Sequence, residues 1–158
     1  MGDNNITLDN KWAVYFHDYM DTNWNRESYE KLVEITNIID FWTVFNIVKD
    51  KLCLGMFFFM KQNIFPKWDD NDNTKMSYVS IKILKSNASG FMENILITLF
   101  NETLYKNHPE MINGISISPK KNFCICKIWI NSTDEIHKNA TLYSLPKDYY
   151  GEVVFNNF

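Results

Sequence analysis

Apolar positions along the chain follow two rhythms. Trp12–Tyr19 is rich in β-formers and carries no helix start signal, which predicts a strand. Gly55–Met60 reads as a short aromatic strand. In Met76–Leu84, Met76, Tyr78 and Ser80 alternate with Val79, Ile81 and Ile83, the period of two of a half-buried strand. Gly114–Ser118 and Phe123–Ile130 read as strands joined by a hairpin over Pro119–Asn122, and Gly151–Phe155 as a last strand. The helical rhythm appears in Ile38–Asp50, where Ile38, Phe41, Val44, Phe45 and Val48 share one face. It returns in Ser89–Tyr105, with Phe91, Ile95, Thr98 and Leu99 on one face and Met92, Glu93, Leu96 and Phe100 on another. Asp134–Leu142 is expected to form a third, short helix, and Ser28–Ile35 a short helical turn. Asp21–Arg26 and Asn63–Thr74 are polar loops. Strands separated by isolated helices, several linked at hairpin length, predict an α+β domain: an antiparallel sheet with helices on one face. Residues 1–8 are expected to be a flexible arm and residues 9–158 the single domain.

Composition narrows the class. A chain of 158 residues supports one core, and 46% hydrophobic against 22% charged residues is the balance of a folded globule. A net charge of −3 argues against binding long nucleic-acid tracts by general backbone attraction. The longest apolar run, Leu52–Met60, is about half the roughly 18–20 residues of a membrane helix. Met1–Asn10 is polar and lacks the order of a signal peptide, so a cytoplasmic location and free thiols at Cys53, Cys124 and Cys126 are expected. The N-x-[ST] triplets at Asn5, Asn87, Asn101, Asn131 and Asn139 then reflect abundant Asn rather than glycosylation. Arg26 is the one arginine among 16 basic residues, a codon bias rather than a mechanism.

Catalytic patterns are missing. His17, His108 and His137 are scattered, and no Ser or Cys sits in a nucleophile signature. Cys124 and Cys126 share one strand face at a spacing that structural zinc sites do not use, with no second ligand pair following. The five glycines form no phosphate loop. No enzyme, metal or cofactor is expected.

Aromatic residues reach 16%, and two of the five Trp sit in polar loops. Trp24 lies among Thr22, Asn23, Asn25 and Arg26; Trp68 follows Lys67 and precedes Asp69 and Asp70. Either ring alone reads most simply as a plug at the end of a sheet. Together they offer two electron-rich faces for one flat ring, and a cationic ring is the best guest. N7-methylguanine is such a ring. Its N1–H and N2 amine form an edge that one ionised carboxylate, such as Asp69, can accept. Lys120, Lys121 and Lys127 supply a local patch for phosphates, although each alone reads as a solvated surface charge. Lys127 and Trp129 point the same way from one strand.

These residues coincide with a family. The chain resembles the messenger-RNA cap-binding translation initiation factor 4E. The resemblance rests on Leu8-Asp9-Asn10-Lys11-Trp12-Ala13-Val14, then Trp24, then Asp40-Phe41-Trp42 with Phe45-Asn46. It continues through Ile64-Phe65-Pro66-Lys67-Trp68-Asp69-Asp70, Phe91-Met92-Glu93, and Gly114 placed fifteen residues before Trp129. It implies a strongly curved antiparallel sheet with helices on the convex back and a cap-binding slot on the concave side. It implies that Trp24 and Trp68 stack the base, that Asp69 stands for the guanine-reading Glu, that Trp129 lies against the N7-methyl group, and that Lys120 meets phosphate. Ile125 stands where the family commonly has a phosphate-binding Lys, with Lys127 on the same face. Tyr78 replaces a Trp, Lys75 is the cation nearest a basic position now near Ser77, and Ile6-Thr7 replaces His-Pro.

On period alone Trp42 sits at the margin of its helical stripe and reads as core edge. The resemblance instead places it exposed on the back, where Trp42, Ile39, Met92, Glu93 and Leu96 would hold a helical Tyr-x-x-x-x-Leu-apolar peptide from the scaffold factor 4G or a 4E-binding repressor. The expected function is therefore a monomeric, non-catalytic cap binder that recruits capped messenger RNA to translation initiation. A cap-binding repressor and a degenerate, protein-only module remain as alternatives.

Overall fold

The computed structural model describes residues 5–67, 75–146 and 150–158. Among them, strands β1 (Thr7–His17), β2 (Glu30–Asn37), β3 (Met56–Lys61), β4 (Ser77–Leu84), β5 (Ile112–Pro119), β6 (Phe123–Ile130) and β7 (Tyr150–Asn157) pair into one antiparallel sheet. The order is β2-β1-β3-β5-β6-β4-β7. Helices α1 (Ile38–Val48) and α2 (Ala88–Phe100) cover its convex face.

Alternation along the strands separates two cores. Trp12 and Val14 of β1, Phe57 and Phe59 of β3, Ile115 and Ile117 of β5, and Cys124, Cys126 and Ile128 of β6 face the helices. There they meet Phe41, Val44, Phe45 and Val48 of α1, and Phe91, Ile95 and Leu99 of α2. Each such buried side chain contributes about 1.5–3 kcal/mol of apolar burial. Trp12 meets Phe100 edge-on at 5.5 Å, tying β1 to the end of α2. The intervening residues Ala13, Tyr15, Phe58, Met60 and Trp129 form a second cluster on the concave face.

The helix starts follow from local chemistry. Asn37 Oδ1 accepts the Asp40 amide at 2.8 Å, while the Asp40 carboxylate accepts both the amide and hydroxyl of Thr36 at 3.0 Å. This reciprocal cap fixes where α1 begins. The α1 N–H groups at Ile38 and Ile39 are met by the Ile6 carbonyl and the Asn5 side chain. Beyond the C-terminal end of α2, Glu102 adopts the left-handed region at φ 58°; its amide donates to the Leu99 carbonyl, and the Thr103 and Leu104 amides donate to the Thr98 carbonyl, which closes the helix.

Three expectations are corrected. The turn anticipated over Ser28–Ile35 is a short 3₁₀ turn at Arg26–Ser28 followed by β2, because Val33 and Ile35 reach the core with the period of two. The third helix is replaced by two 3₁₀ turns, Glu135–His137 and Ala140–Leu142, each opened by an Asp134 or Asn139 side chain accepting the amide two residues on. Among the described residues, two α-helices, not three, therefore back the sheet. Finally, Met92, Leu96 and Phe100 do not form a separate accessible face of α2: all three are buried with Phe91 and Ile95, leaving Glu93 and Asn94 toward solvent.

Candidate functional site

The concave face holds a cleft of about 440 Å³ lined by Trp24, Tyr29, Met56, Phe58, Pro66, Lys67, Ser116, Ser118, Lys127, Trp129 and Phe158. That volume suits a nucleotide-sized ligand. The lining is aromatic with polar groups at Ser116, Ser118 and two lysines.

Trp24 is carried by a loop that its own side chains hold. Asp18, Asp21 and Asn23 each accept the backbone amide two residues ahead, at 2.9, 2.8 and 2.9 Å. Such turns are what short polar side chains stabilise in the absence of regular structure. The indole is 44% exposed on one side. Its other side lies flat on His17, with ring centroids 4.0 Å apart and planes 2° from parallel. Tyr29 leans on both rings.

Trp129 forms part of the floor. It is 3% exposed, meets Phe58 edge-on and packs against Phe158 at 4.9 Å. Its Nε1 donates to Ser116 Oγ at 3.1 Å. Gly114 pairs with Trp129 on one side and Met60 on the other. A Cβ there would stand 2.5 Å from the Phe59 carbonyl oxygen and 2.5 Å from Met60 Sδ, so only glycine lets these strands close under the cleft.

The cationic side of the cleft is built on β6. Lys127 and Trp129 share its concave face, as their spacing predicted. Lys127 Nζ stands 4.5 Å from the Tyr78 ring centroid. Burial pushes its ammonium below the ordinary lysine value, and the neighbouring Lys120 charge adds to that effect. Lys120 is exposed in the β5–β6 hairpin, where its amide bonds the Phe123 carbonyl. Two cations that repel one another in this way are both better satisfied when an anion sits near them.

The segment after β3 is tethered to the same rim. Phe65 packs on Tyr15 and Tyr29, with the Arg26 guanidinium 4.1 Å from its ring centroid. Pro66 and Lys67 then line the cleft. Trp68 and Asp69, the second expected stacker and the expected edge reader, lie outside the described residues. Sequence reading overlooked His17, Tyr29, Met56, Phe58, Ser116 and Phe158. The period of two from Tyr15 assigns His17 to the concave face; nothing local assigns Phe158, which arrives through pairing of β7 with β4.

On the convex side, Trp42 is 37% exposed and Ile39 54%. Trp42 is therefore an outward residue resting on Phe41 at 4.7 Å, not a core-edge one. Glu93 is half-buried on α2, whereas Met92 and Leu96 have no exposed surface.

The family assignment follows from this frame. Over residues 7–149 the sequence matches the family Eukaryotic initiation factor 4E. The chain belongs to that family. Among solved structures, it is similar to C. elegans eIF4E-3 in complex with the 4E-binding protein Mextli and a cap analogue (TM-score 0.80, 14% identity, covering 97% of this chain and 92% of that one). It is also similar to Ascaris suum eIF4E-3 with m7G cap (TM-score 0.75, 16% identity, 85% and 78% covered). A third is schistosome eIF4E with m7GpppA and 4E-BP (TM-score 0.74, 20% identity, 85% and 76% covered). Comparison with curated proteins gives no match. The initiation factor 4E family consists of cap-binding factors rather than enzymes. Among the described residues, no three His, Cys, Asp or Glu groups converge as a metal site, and no helix is long and apolar enough to cross a membrane.

Proposed function

We propose that this protein holds the 7-methylguanosine 5′ end of messenger RNA in the concave cleft and delivers it to translation initiation in the cytoplasm. The observation that carries the reading is the open face of Trp24 at the mouth of an aromatic cleft with Trp129 on its floor and Lys127 at its side. N7-methylation makes guanine cationic, and an indole face attracts a cationic ring more than a neutral one. Trp68 follows Lys67 directly in the chain, and Lys67 lines the cleft. In this reading Trp24 and Trp68 close on the two faces of the base. Asp69 accepts its N1–H and N2 amine, Trp129 meets the methyl group, and Lys120 with Lys127 meets the phosphates. The likeness to structures solved with m7G cap supports it.

The convex face serves a partner peptide. Trp42 and Ile39 are large apolar side chains open to solvent on one helix face, and Glu93 provides a polar neighbour on α2. That is the make-up of a helix-in-groove site with an aromatic anchor. Neighbouring structures carry 4E-binding proteins. Met92 and Leu96 are fully buried within α2 and back this surface from inside.

The test is retention of the monomer on immobilised 7-methyl-GTP, with elution by 7-methyl-GTP and not by GTP. Trp24→Ala and Asp69→Ala should each abolish retention. Equal elution by both nucleotides would refute cation stacking and with it this function.

A further inference from the structure

The cationic side of the cleft does not end at Lys127. Val79, Ile81 and Ile83 of β4 face the helices, so Tyr78, Ser80 and Lys82 lie on the concave side. Two rows of concave residues cross the sheet there. In the first, Phe58 of β3 pairs with Ser116, Ser116 with Lys127, and Lys127 with Ser80. In the second, one concave position along, Ser118 pairs with Ile125, and Ile125 with Lys82. Ser116, Ser118 and Lys127 line the cleft, and Ile125 and Lys82 continue its floor by two strands, about 10 Å. Lys82 and Lys127 are diagonal neighbours on paired strands, roughly 7–8 Å apart at the backbone.

Lys82 is set up differently from the paired lysines of the surface. Lys31 and Lys138 each hold a glutamate. Lys82 is exposed and, among the described residues, forms no ion pair; its ammonium stands 4.3 Å from the Phe123 ring centroid. Cys124, Cys126 and Ile128 of β6 face the helices, so Phe123 and Ile125 are concave residues as well. The ammonium thus rests over an apolar floor, where an arriving anion meets a charge less well screened than one surrounded by water. Val153 and Phe155 of β7 pack toward the helix-side core, which gives Glu152 the concave side next to β4. Its side chain is exposed and makes no ion pair with Lys82. The cation is left for a ligand.

We propose that Lys82 is a phosphate-binding residue that meets the far end of the cap's phosphate chain, where it joins the first nucleotide of the message. The proposal rests on the cap-binding reading and deepens it. Strand order gives the direction. From the Trp24 side the strands run β1, β3, β5, β6, β4. Trp24 stacks on His17 of β1, so the base is held at that end. Lys127 on β6 is the nearer cation and Lys82 on β4 the farther one. A phosphate chain leads away from the base that carries it, so it passes Lys127 first and reaches Lys82 last. An ammonium on a flexible four-carbon stem offers three donors and suits a terminal phosphate that needs no fixed geometry. Lys82 therefore discriminates ligands by the length of their phosphate chain, and not by methylation of the base.

The experiment measures the affinities of 7-methyl-GMP and 7-methyl-GTP for wild type and Lys82→Met at low and at moderate ionic strength. Lys82→Met should bind the monophosphate within about two-fold of wild type. It should bind the triphosphate about five-fold more weakly, the scale of a charge pair open to solvent, and the difference should shrink as salt is added. Adding Ile125→Lys to Lys82→Met returns an ammonium to the directly opposed position and should recover most of the loss. Lys49→Met, at the end of α1 on the convex side, removes the same net charge and should bind both nucleotides as wild type does. Equal losses on monophosphate and triphosphate, no loss on the triphosphate, no recovery in the double variant, or an equal effect of Lys49→Met overturns the proposal while the cap-binding reading stands. Wild type that binds GTP as tightly as 7-methyl-GTP overturns both.

Discussion

Trp129 and Ser116 are joined across neighbouring strands by a hydrogen bond from the indole Nε1 to the serine hydroxyl, 3.1 Å long and buried from solvent. The bond turns the Trp129 ring so that it forms part of the cleft floor, and it satisfies the indole donor. Removing the hydroxyl leaves that donor without a partner. Ser116→Ala should lower stability by about 1–3 kcal/mol, the cost of an unsatisfied buried polar group. Equilibrium urea unfolding measures it. Affinity for 7-methyl-GTP should fall as well, since the ring loses its restraint. An unchanged unfolding midpoint would show that the bond has no energetic role.

Gly114→Ala tests how closely β3 and β5 must approach under the cleft. The added methyl would meet backbone at 2.5 Å, where no rotamer change gives relief. Overpacking of this kind costs about 1–3 kcal/mol or more. The variant should unfold at lower temperature and bind 7-methyl-GTP poorly, because Met60 and Trp129 flank the clash. A variant as stable as wild type would mean that the strands separate freely.

The three thiols should differ sharply in reactivity. Cys126 is fully buried and its thiol is held well above its ordinary value by desolvation. Cys124 is pushed up to about 12, first by burial and then by its contact with Cys53, whose sulfur is 3.2 Å away. Only Cys53 is partly open to solvent. Since the thiolate is the reactive form, iodoacetamide at pH 8 should alkylate Cys53 in the native protein and reach Cys124 and Cys126 only on unfolding. Intact mass and peptide mapping read the result; native labelling of Cys126 would contradict the packing of β6 against the helices.

Legibility in the sequence tracked how local each signal was. The β5–β6 hairpin and both α-helices were readable because their rhythm lies within a dozen residues. The placement of Lys127 and Trp129 on one face needed only the period of two. β2 was misread because its outward residues Glu30, Lys31, Leu32 and Glu34 mask a pattern in which Val33 and Ile35 alone reach inward. Trp42 shows the converse limit. Period placed it at the edge of a stripe, and its exposure depends on what packs beside α1, which periodicity does not contain. Phe158 was illegible because it enters the cleft only after β7 pairs with β4, far away in sequence. Burial of both α2 stripes has the same origin: one faces the sheet, and the other is closed off by tertiary neighbours such as Phe41 and Trp12 at Phe100.

The two faces should be separable by mutation. Trp42 rests on Phe41 and leaves more than a third of its surface in water, so Trp42→Ala removes little core packing. An aromatic hot spot typically contributes 2 kcal/mol or more to an interface, so a helical Tyr-x-x-x-x-Leu-apolar peptide should bind about 30-fold more weakly or worse. Affinity for 7-methyl-GTP should change less than about two-fold, within the scatter expected for independent sites. Calorimetry with each ligand decides it. Joint loss of both activities would mean that Trp42 supports the fold.

Lys127 should trade stability for binding. Burial, and then Lys120, hold its ammonium below the ordinary lysine value, which means the folded apo protein disfavours the charged form. The sign follows from proton counting. Between the depressed folded value and the ordinary unfolded value of 10.5, the unfolded chain binds more protons, so stability rises with pH through that window. Below the window the full cost of the buried charge is present. Lys127→Met keeps the stem volume and removes the charge. It should therefore raise the unfolding temperature at pH 7, with the advantage shrinking as pH climbs toward 10.5. Binding should move the opposite way. A charge-assisted bond to phosphate is worth about 1.5–3 kcal/mol, so 7-methyl-GTP should bind roughly ten- to a hundred-fold more weakly and with a shallower salt dependence. The nucleoside 7-methylguanosine, which lacks phosphates, should bind wild type and variant alike. A variant less stable than wild type at pH 7, or one that loses the nucleoside and the nucleotide equally, would show that Lys127 packs the cleft instead of reading its anion.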